Sequence, residues 1–225
     1  MAENAGDPRA QLIARLRALG SRARAEKEKS YQKSVWQHWG VPLPMMDRAI
    51  RETLPGVPQD QRIALSARLW REPVWDLKIV VGRILAHKTT PVTSELWQFV
   101  LERMPELDGW AVADNMAAVA SRCLLADPQR LDAVETWVGS RHLWSRRAVL
   151  VFTLPWTRNG RDPERMLRWA ARLAADPEWF IQKAIGWWLR ELSKRDPARV
   201  ERFLSDHGAT LKGVARREAM KYLVR

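Results

Sequence analysis

Cys123 is the only cysteine among 225 residues. No disulfide can therefore form within the chain, and a lone thiol suits a reducing cytoplasm. Its neighbours in Ser121-Arg-Cys-Leu-Leu-Ala126 are mostly apolar, so it is expected in the core and not as a nucleophile. Histidine is scarce too: His38, His87, His142 and His207 are dispersed, with no i, i+4 pair. That removes the usual ligand spacing for zinc and argues against metal catalysis. Each is expected at the surface or in a loop. Phosphate-loop and dinucleotide glycine fingerprints are missing, and no cofactor is expected. Tyrosine and phenylalanine number only two and four, and no long alternating runs occur, so strand signals are lacking. No apolar run approaches the roughly 20 residues of a membrane span. The opening MAENAGDPRA has no apolar signal segment. The expectation is a cytoplasmic protein without a membrane partner.

Acidic residues are the next shortage. Lys and Arg total 38 against 26 Asp and Glu, a net charge of +12, with an isoelectric point near 10.6. A protein this basic usually meets a polyanion, most often nucleic acid; a generally basic proteome is the alternative. Tryptophan is abundant, at 13. Arginine forks for phosphate together with flat apolar faces fit nucleic acid, and a tryptophan-packed core fits equally.

The periodicity is helical nearly throughout. LDAVETWV, MLRWAARLA, RIALSARLW and VERFL place apolar residues at i, i+3, i+4 and i+7. Breaks recur at Gly40-Val-Pro-Leu-Pro44, Pro55-Gly-Val-Pro58, Thr90-Pro91 and Trp156-Thr-Arg-Asn-Gly160. Asp-Pro is an N-cap with proline in the first turn; it occurs at Asp127, Asp162 and Asp196, spaced 35 and 34 residues apart. WDLKIVVGRIL from Trp75 lays over WFIQKAIGWWL from Trp179 at an offset of 104, matching Gly82 to Gly186. Repeated helix pairs of this length stack into an α-solenoid. The tetratricopeptide residue pattern is absent, which leaves a HEAT-like architecture. The expected fold is all-α: one domain over residues 1–225 of about six antiparallel helix pairs, with a concave basic groove and residues 1–8 flexible.

Residues at equivalent places on the second helices form a rank. Aligning Ala148 with Ala184 sets Arg147 opposite Lys183, and a step of 33 back from Arg147 reaches Asp114. Trp110 precedes Asp114 by one turn and Trp187 follows Lys183 by one turn. The adjacent Trp187 and Trp188 point about 100° apart on a helix. Trp188 is expected in the core, with Trp187 either sharing the face of Lys183 or packing between repeats.

A carboxylate among cations that face DNA is repelled by phosphate and so invites a chemical reason. Cleavage of a glycosidic bond supplies one, since a nearby carboxylate stabilises the oxocarbenium-like sugar and positions water. A surface Asp or an ion-pair partner is the bland alternative.

FIQKAIGWWLRELSKRDP followed by RREAMKYL resembles the DNA alkylation repair family, the AlkD-type HEAT-like-repeat DNA glycosylases. Tyr31 ahead of Gly40-Val-Pro-Leu-Pro44, the Trp110-x-x-x-Asp114 step and Arg147 in SRRAVL are similar to that family's blocks, and the resemblance covers roughly residues 25–223. Where the family commonly reads Trp-Trp-Asp, this chain reads Gly109-Trp110-Ala111. The resemblance implies excision of cationic N3- and N7-alkylpurines from double-stranded DNA in base excision repair, without a base-flipping pocket. It implies Asp114, Trp110 and Trp187 as catalytic residues and Arg147, Lys183 and Tyr31 as DNA contacts. It also implies a monomer at the nucleoid with no metal. The rival is a non-catalytic HEAT-like module that binds DNA or protein.

Overall fold

The computed structural model describes residues 6–158 and 160–223. Among them lie 13 α-helices, short 3-10 turns and no strand beyond one isolated bridge, Gln37 to Val74. The all-α expectation holds. The chain divides into two compact units, residues 1–123 and 124–225. No helix among the described residues is long and apolar enough to cross a membrane.

The first unit holds α1 (Pro8–Leu19), α2 (Arg22–Gln32), α3 (Leu43–Thr53), α4 (Arg62–Trp70), α5 (Trp75–Ala86), α6 (Ser94–Arg103) and most of α7 (Trp110–Ala126). Of the flexible stretch expected at 1–8, residues 1–5 lie outside the described residues. Asp7 and Pro8 depart from the expectation, because Asp7 caps α1 by accepting from the Arg9 amide and Pro8 opens it. Such a cap is worth about 1 kcal/mol. Helix α5 is the centre of this unit. Ten of its twelve residues are buried, and it packs on α3 and α4. Its buried Asp76 accepts from the amides of Trp39 (2.7 Å) and Val41 (2.9 Å), which fastens the Gly40-Val-Pro-Leu-Pro44 break to the helix start. Gly40 has φ 72°, and a Cβ there would lie 2.4 Å from the Ser21 carbonyl oxygen, so only glycine fits this step.

The second unit holds α8 (Leu131–Glu135), α9 (Leu143–Val151), α10 (Glu164–Arg172), α11 (Trp179–Ser193), α12 (Pro197–His207) and α13 (Gly213–Ala219). Its centre is α11, packed against α9, α12 and α13. Asp127 and Asp196 cap through their side chains, and Asp162 accepts from the Glu164 amide at the start of α10. Asp-Pro also occurs at Asp7 and Asp176, outside the 35-residue register. Asp176 likewise accepts from an amide two residues on, that of Glu178, just before α11.

The sequence match between α5 and α11 has a physical basis at their shared glycine. A Cβ on Gly82 would fall 2.9 Å from the Asn115 Cβ, and one on Gly186 would fall 2.7 Å from the Glu218 Cβ and 2.8 Å from the Ala215 carbonyl oxygen. In each unit, therefore, the central helix lets another cross close by at the same register, α7 at Gly82 and α13 at Gly186. Cys123 and Trp188 are fully buried, as expected. His38 lies in a loop, within the surface-or-loop expectation. It is buried and stacked on Trp75 with ring centroids 4.8 Å apart. Burial lowers its pKa, with Asp76 partly opposing. His207 closes the last turn of α12 and is half-buried.

Candidate nucleic-acid-facing residues

Helix α7 presents two chemistries on two sides. Val112, Ala113, Met116, Val119, Ala120 and Cys123 are buried and form its core stripe. Trp110, Asp114 and Ala118 follow one another at i, i+4 spacing on the other side; the first two are half-buried and Ala118 is exposed. Arg122 holds the far end of this helix in place, donating to the carbonyl oxygens of Leu85 (2.7 Å), in the last turn of α5, and of Thr90 (2.6 Å), just beyond it. Asn115 bonds back to Ala111 and lies against Gly82. The carboxylate of Asp114 thus sits on a helix fixed at both ends, the arrangement a catalytic group needs.

The first of these fixings is built from the segment after α2. Lys33 ends α2 in the left-handed conformation at φ 52°. The chain then turns so that the Ser34 hydroxyl (2.6 Å) and the Val35 amide (3.1 Å) both donate to Asp108, two residues before Trp110. Tyr31 packs edge-on to Trp110 with centroids 6.3 Å apart, and it is 71% exposed. Of the six expected site residues, three therefore gather in the first unit: Tyr31 and Trp110 in direct ring contact, with Asp114 one turn on. In the same unit Lys78 of α5 is buried. Its ammonium donates to the Trp70 carbonyl and lies 4.7 Å from the ring centroids of both Trp36 and Trp70. Desolvation pushes this lysine down to about 8, with Glu106 partly opposing.

The remaining three lie in the second unit, and two differ from expectation. Arg147 is 4% exposed, and its guanidinium donates to the Phe180 carbonyl of α11 at 2.9 Å. It is a strut between α9 and α11, not an open cation. Lys183 is half-buried and donates to Glu218 of α13, which also accepts from Arg190. The hydrogen bond from Lys183 holds the Glu218 carboxyl below the usual range, with Arg190 adding to the effect against a cost of burial. The cation expected to grip phosphate is instead shared with a carboxylate. Trp187 is half-exposed and Trp188 is at 0%, so the helical register that separates the two holds.

Sequence patterns gave no notice of Asp108. Its partners are 73 and 74 residues away and share no helix face with it. Among the described residues, no group of three or more His, Cys, Asp or Glu is placed to hold a metal ion.

The fold has counterparts among solved structures. A predicted DNA alkylation repair enzyme from Enterococcus faecalis superposes with a TM-score of 0.79 at 21% identity, covering 92% of this chain and 97% of that one. AlkD2 from Streptococcus mutans superposes with a TM-score of 0.62 at 19% identity, covering 90% and 97%. At these identities the likeness is one of fold. No curated protein matches the chain. The family model described as DNA alkylation repair enzyme matches residues 12–223, and the chain belongs to that family.

Proposed function

We propose that the protein is a DNA glycosylase that releases cationic N3- and N7-alkylpurines from duplex DNA. Family membership supplies the role in alkylation repair. The observation that carries the finer reading is Asp114, a carboxylate held on a fixed helix one turn from Trp110, in a chain of net charge +12.

Alkylation has already made the base positive, so the C1′–N bond breaks heterolytically with its electron pair returning to the ring nitrogen. No general acid is needed. The sugar is left as an oxocarbenium-like cation, which the Asp114 carboxylate stabilises. Water positioned by the same carboxylate adds to C1′ and gives up a proton, leaving an abasic site. Trp110 offers a flat electron-rich face to the sugar as positive charge develops. Tyr31, braced on Trp110, contacts the duplex beside it. In the second unit, the half-exposed Trp187 is the residue proposed to meet DNA. Lys183 and Arg147 act there by holding α11 in place, given their partners Glu218 and Phe180.

A non-catalytic DNA-binding module is the second reading. It is favoured by Ala111, which stands where the family commonly has a further acidic residue. A duplex containing one 7-methylguanine separates the two. Incubation followed by alkaline cleavage yields a strand break at the lesion if the protein is a glycosylase, and intact strands under the second reading.

A further inference from the structure

We propose that an open cleft between α3, α5 and α7 seats a backbone phosphate of the bound duplex, with Arg51 as the residue that grips it. The inference rests on the reading of the chain as a duplex-DNA-binding protein and adds a site that reading does not contain.

The cleft has a volume of about 390 Å³ and lies wholly in the first unit. Arg51 comes from the last turn of α3, Arg83 from α5, His87 from just beyond α5, and Asn115 and Ala118 from α7. The space stays open because Gly82, Ala86 and Ala118 put little or no side chain into it. Helix α3 carries two carboxylates that could neutralise Arg51, and other arginines hold both. Asp47 accepts a two-bond fork from Arg83, while Glu52 accepts from Arg15 and Arg48, each at 2.8 Å. Arg51 is left exposed, with no ion pair among the described residues. His87 adds a donor to the rim. The Thr89 amide donates to its Nδ1 at 3.3 Å, which leaves the proton of the neutral ring on Nε2. A free guanidinium fork beside an imidazole donor is the set of groups that a phosphate takes.

The place of the cleft gives this phosphate a use. Ala118 stands one turn beyond Asp114 on the same side of α7, about 6 Å along the helix axis. Phosphates of one strand rise by about 3.4 Å per nucleotide along the duplex. A phosphate in the cleft therefore belongs to a nucleotide within about two of the sugar that meets Asp114. A strand brought this close to a carboxylate is repelled by it, and the uncompensated charge of Arg51 offsets that repulsion. Gripping the backbone here also fixes the sugar against the carboxylate, which is the positioning that the chemistry needs.

The test uses the full chain and an undamaged duplex with a terminal dye, binding being read by anisotropy between about 50 and 200 mM salt. Arg51→Ala should weaken binding about tenfold and lower the salt slope by about one counterion. Arg51→Lys should keep the slope, because the charge remains. Ala118→Leu removes no charge but fills the cleft, so it should lower affinity and slope as Arg51→Ala does. Both positions are exposed, and neither substitution removes core packing. A slope left unchanged by Arg51→Ala overturns the seat. So does wild-type binding by Ala118→Leu, which would make Arg51 a diffuse surface charge and not the wall of a site. Absence of salt-dependent duplex binding by the wild type overturns the DNA reading and the seat with it.

Discussion

Lys78 lies at 3% exposure beneath the loop that carries Val35, and its titration should be visible in the stability of the whole protein. Burial brings this amine from 10.5 down to about 8, against the pull of Glu106. In the unfolded chain the same group titrates near its ordinary value. Between these two pKa values the unfolded chain holds one more proton than the folded one, so stability rises with pH across that window. Below about pH 8 both states are protonated and the penalty is present in full; it corresponds to about 3 kcal/mol, which is worked from the distance between the two values. Lys78→Met keeps the length of the side chain and removes the charge. Urea unfolding of both proteins between about pH 7.5 and 10 isolates the effect, because other titrating groups are common to both and cancel in the difference. Wild type should gain about 2–3 kcal/mol on the variant over this range. A constant difference would show that Lys78 keeps an ordinary pKa, and that water reaches its ammonium despite the rings of Trp36 and Trp70.

Asp114→Asn should abolish release of 7-methylguanine in single-turnover assays while leaving duplex affinity unchanged or tighter, since a repulsion with phosphate is also removed; excision at the wild-type rate would refute the catalytic role. Trp188→Ala should cost about 3–5 kcal/mol by chemical denaturation as a core truncation, whereas Trp187→Ala should barely move the melting temperature and should slow excision. Gly186→Ala should destabilise by about 1–3 kcal/mol, because its Cβ meets Glu218 and Ala215 at distances no relaxed contact allows; an unchanged denaturation midpoint would disprove the close crossing of α11 and α13. Arg147→Ala should lower stability by about 2 kcal/mol through the lost bond to Phe180 and leave the salt slope of DNA binding intact, a slope that would fall by about one counterion if Arg147 gripped a phosphate.

Features written into short stretches of chain were legible before the fold. Asp-Pro steps cap because the carboxylate and the proline act within three residues of each other, as Asp196 does on the Arg199 amide. The separation of Trp187 from Trp188 follows from helical geometry alone. The Gly82–Gly186 match was visible as a repeat, though its cause, the nearness of Asn115 and Glu218, needs the third dimension. Polar pairings were not legible. Lys183 and Glu218 are 35 residues apart, and Ser34 and Asp108 are 74 apart. Nothing local marks a lysine as paired or a serine as clamped. The stacking of His38 on Trp75 was not legible for a related reason, since a lone histidine in a loop carries no sign of it.

The fate of the two expected cations changes how charge in this protein should be read. Repeat equivalence locates a basic residue on a helix but not the carboxylate that claims it, and in the second unit Arg147 and Lys183 are both claimed by the protein. A cation already bonded to the protein gains little by meeting a phosphate, because one hydrogen bond must break for another to form. Charge available for counterion release has to come from side chains with no such partner. In the first unit Lys27, Lys33 and Arg51 are exposed and carry no ion pair among the described residues. Lys33 lies between Tyr31 and Val35 and Lys27 one turn before Tyr31, and Arg51 lines an open cleft with Asp47, Asn115 and Ala118, the last two on the same helix as Asp114. Exposed cations without an ion pair among the described residues occur in the second unit too, Arg168, Arg202 and Arg216 among them. Phosphate attraction therefore has cations to meet in each unit, whereas the proposed chemistry is tied to one carboxylate, Asp114 on α7.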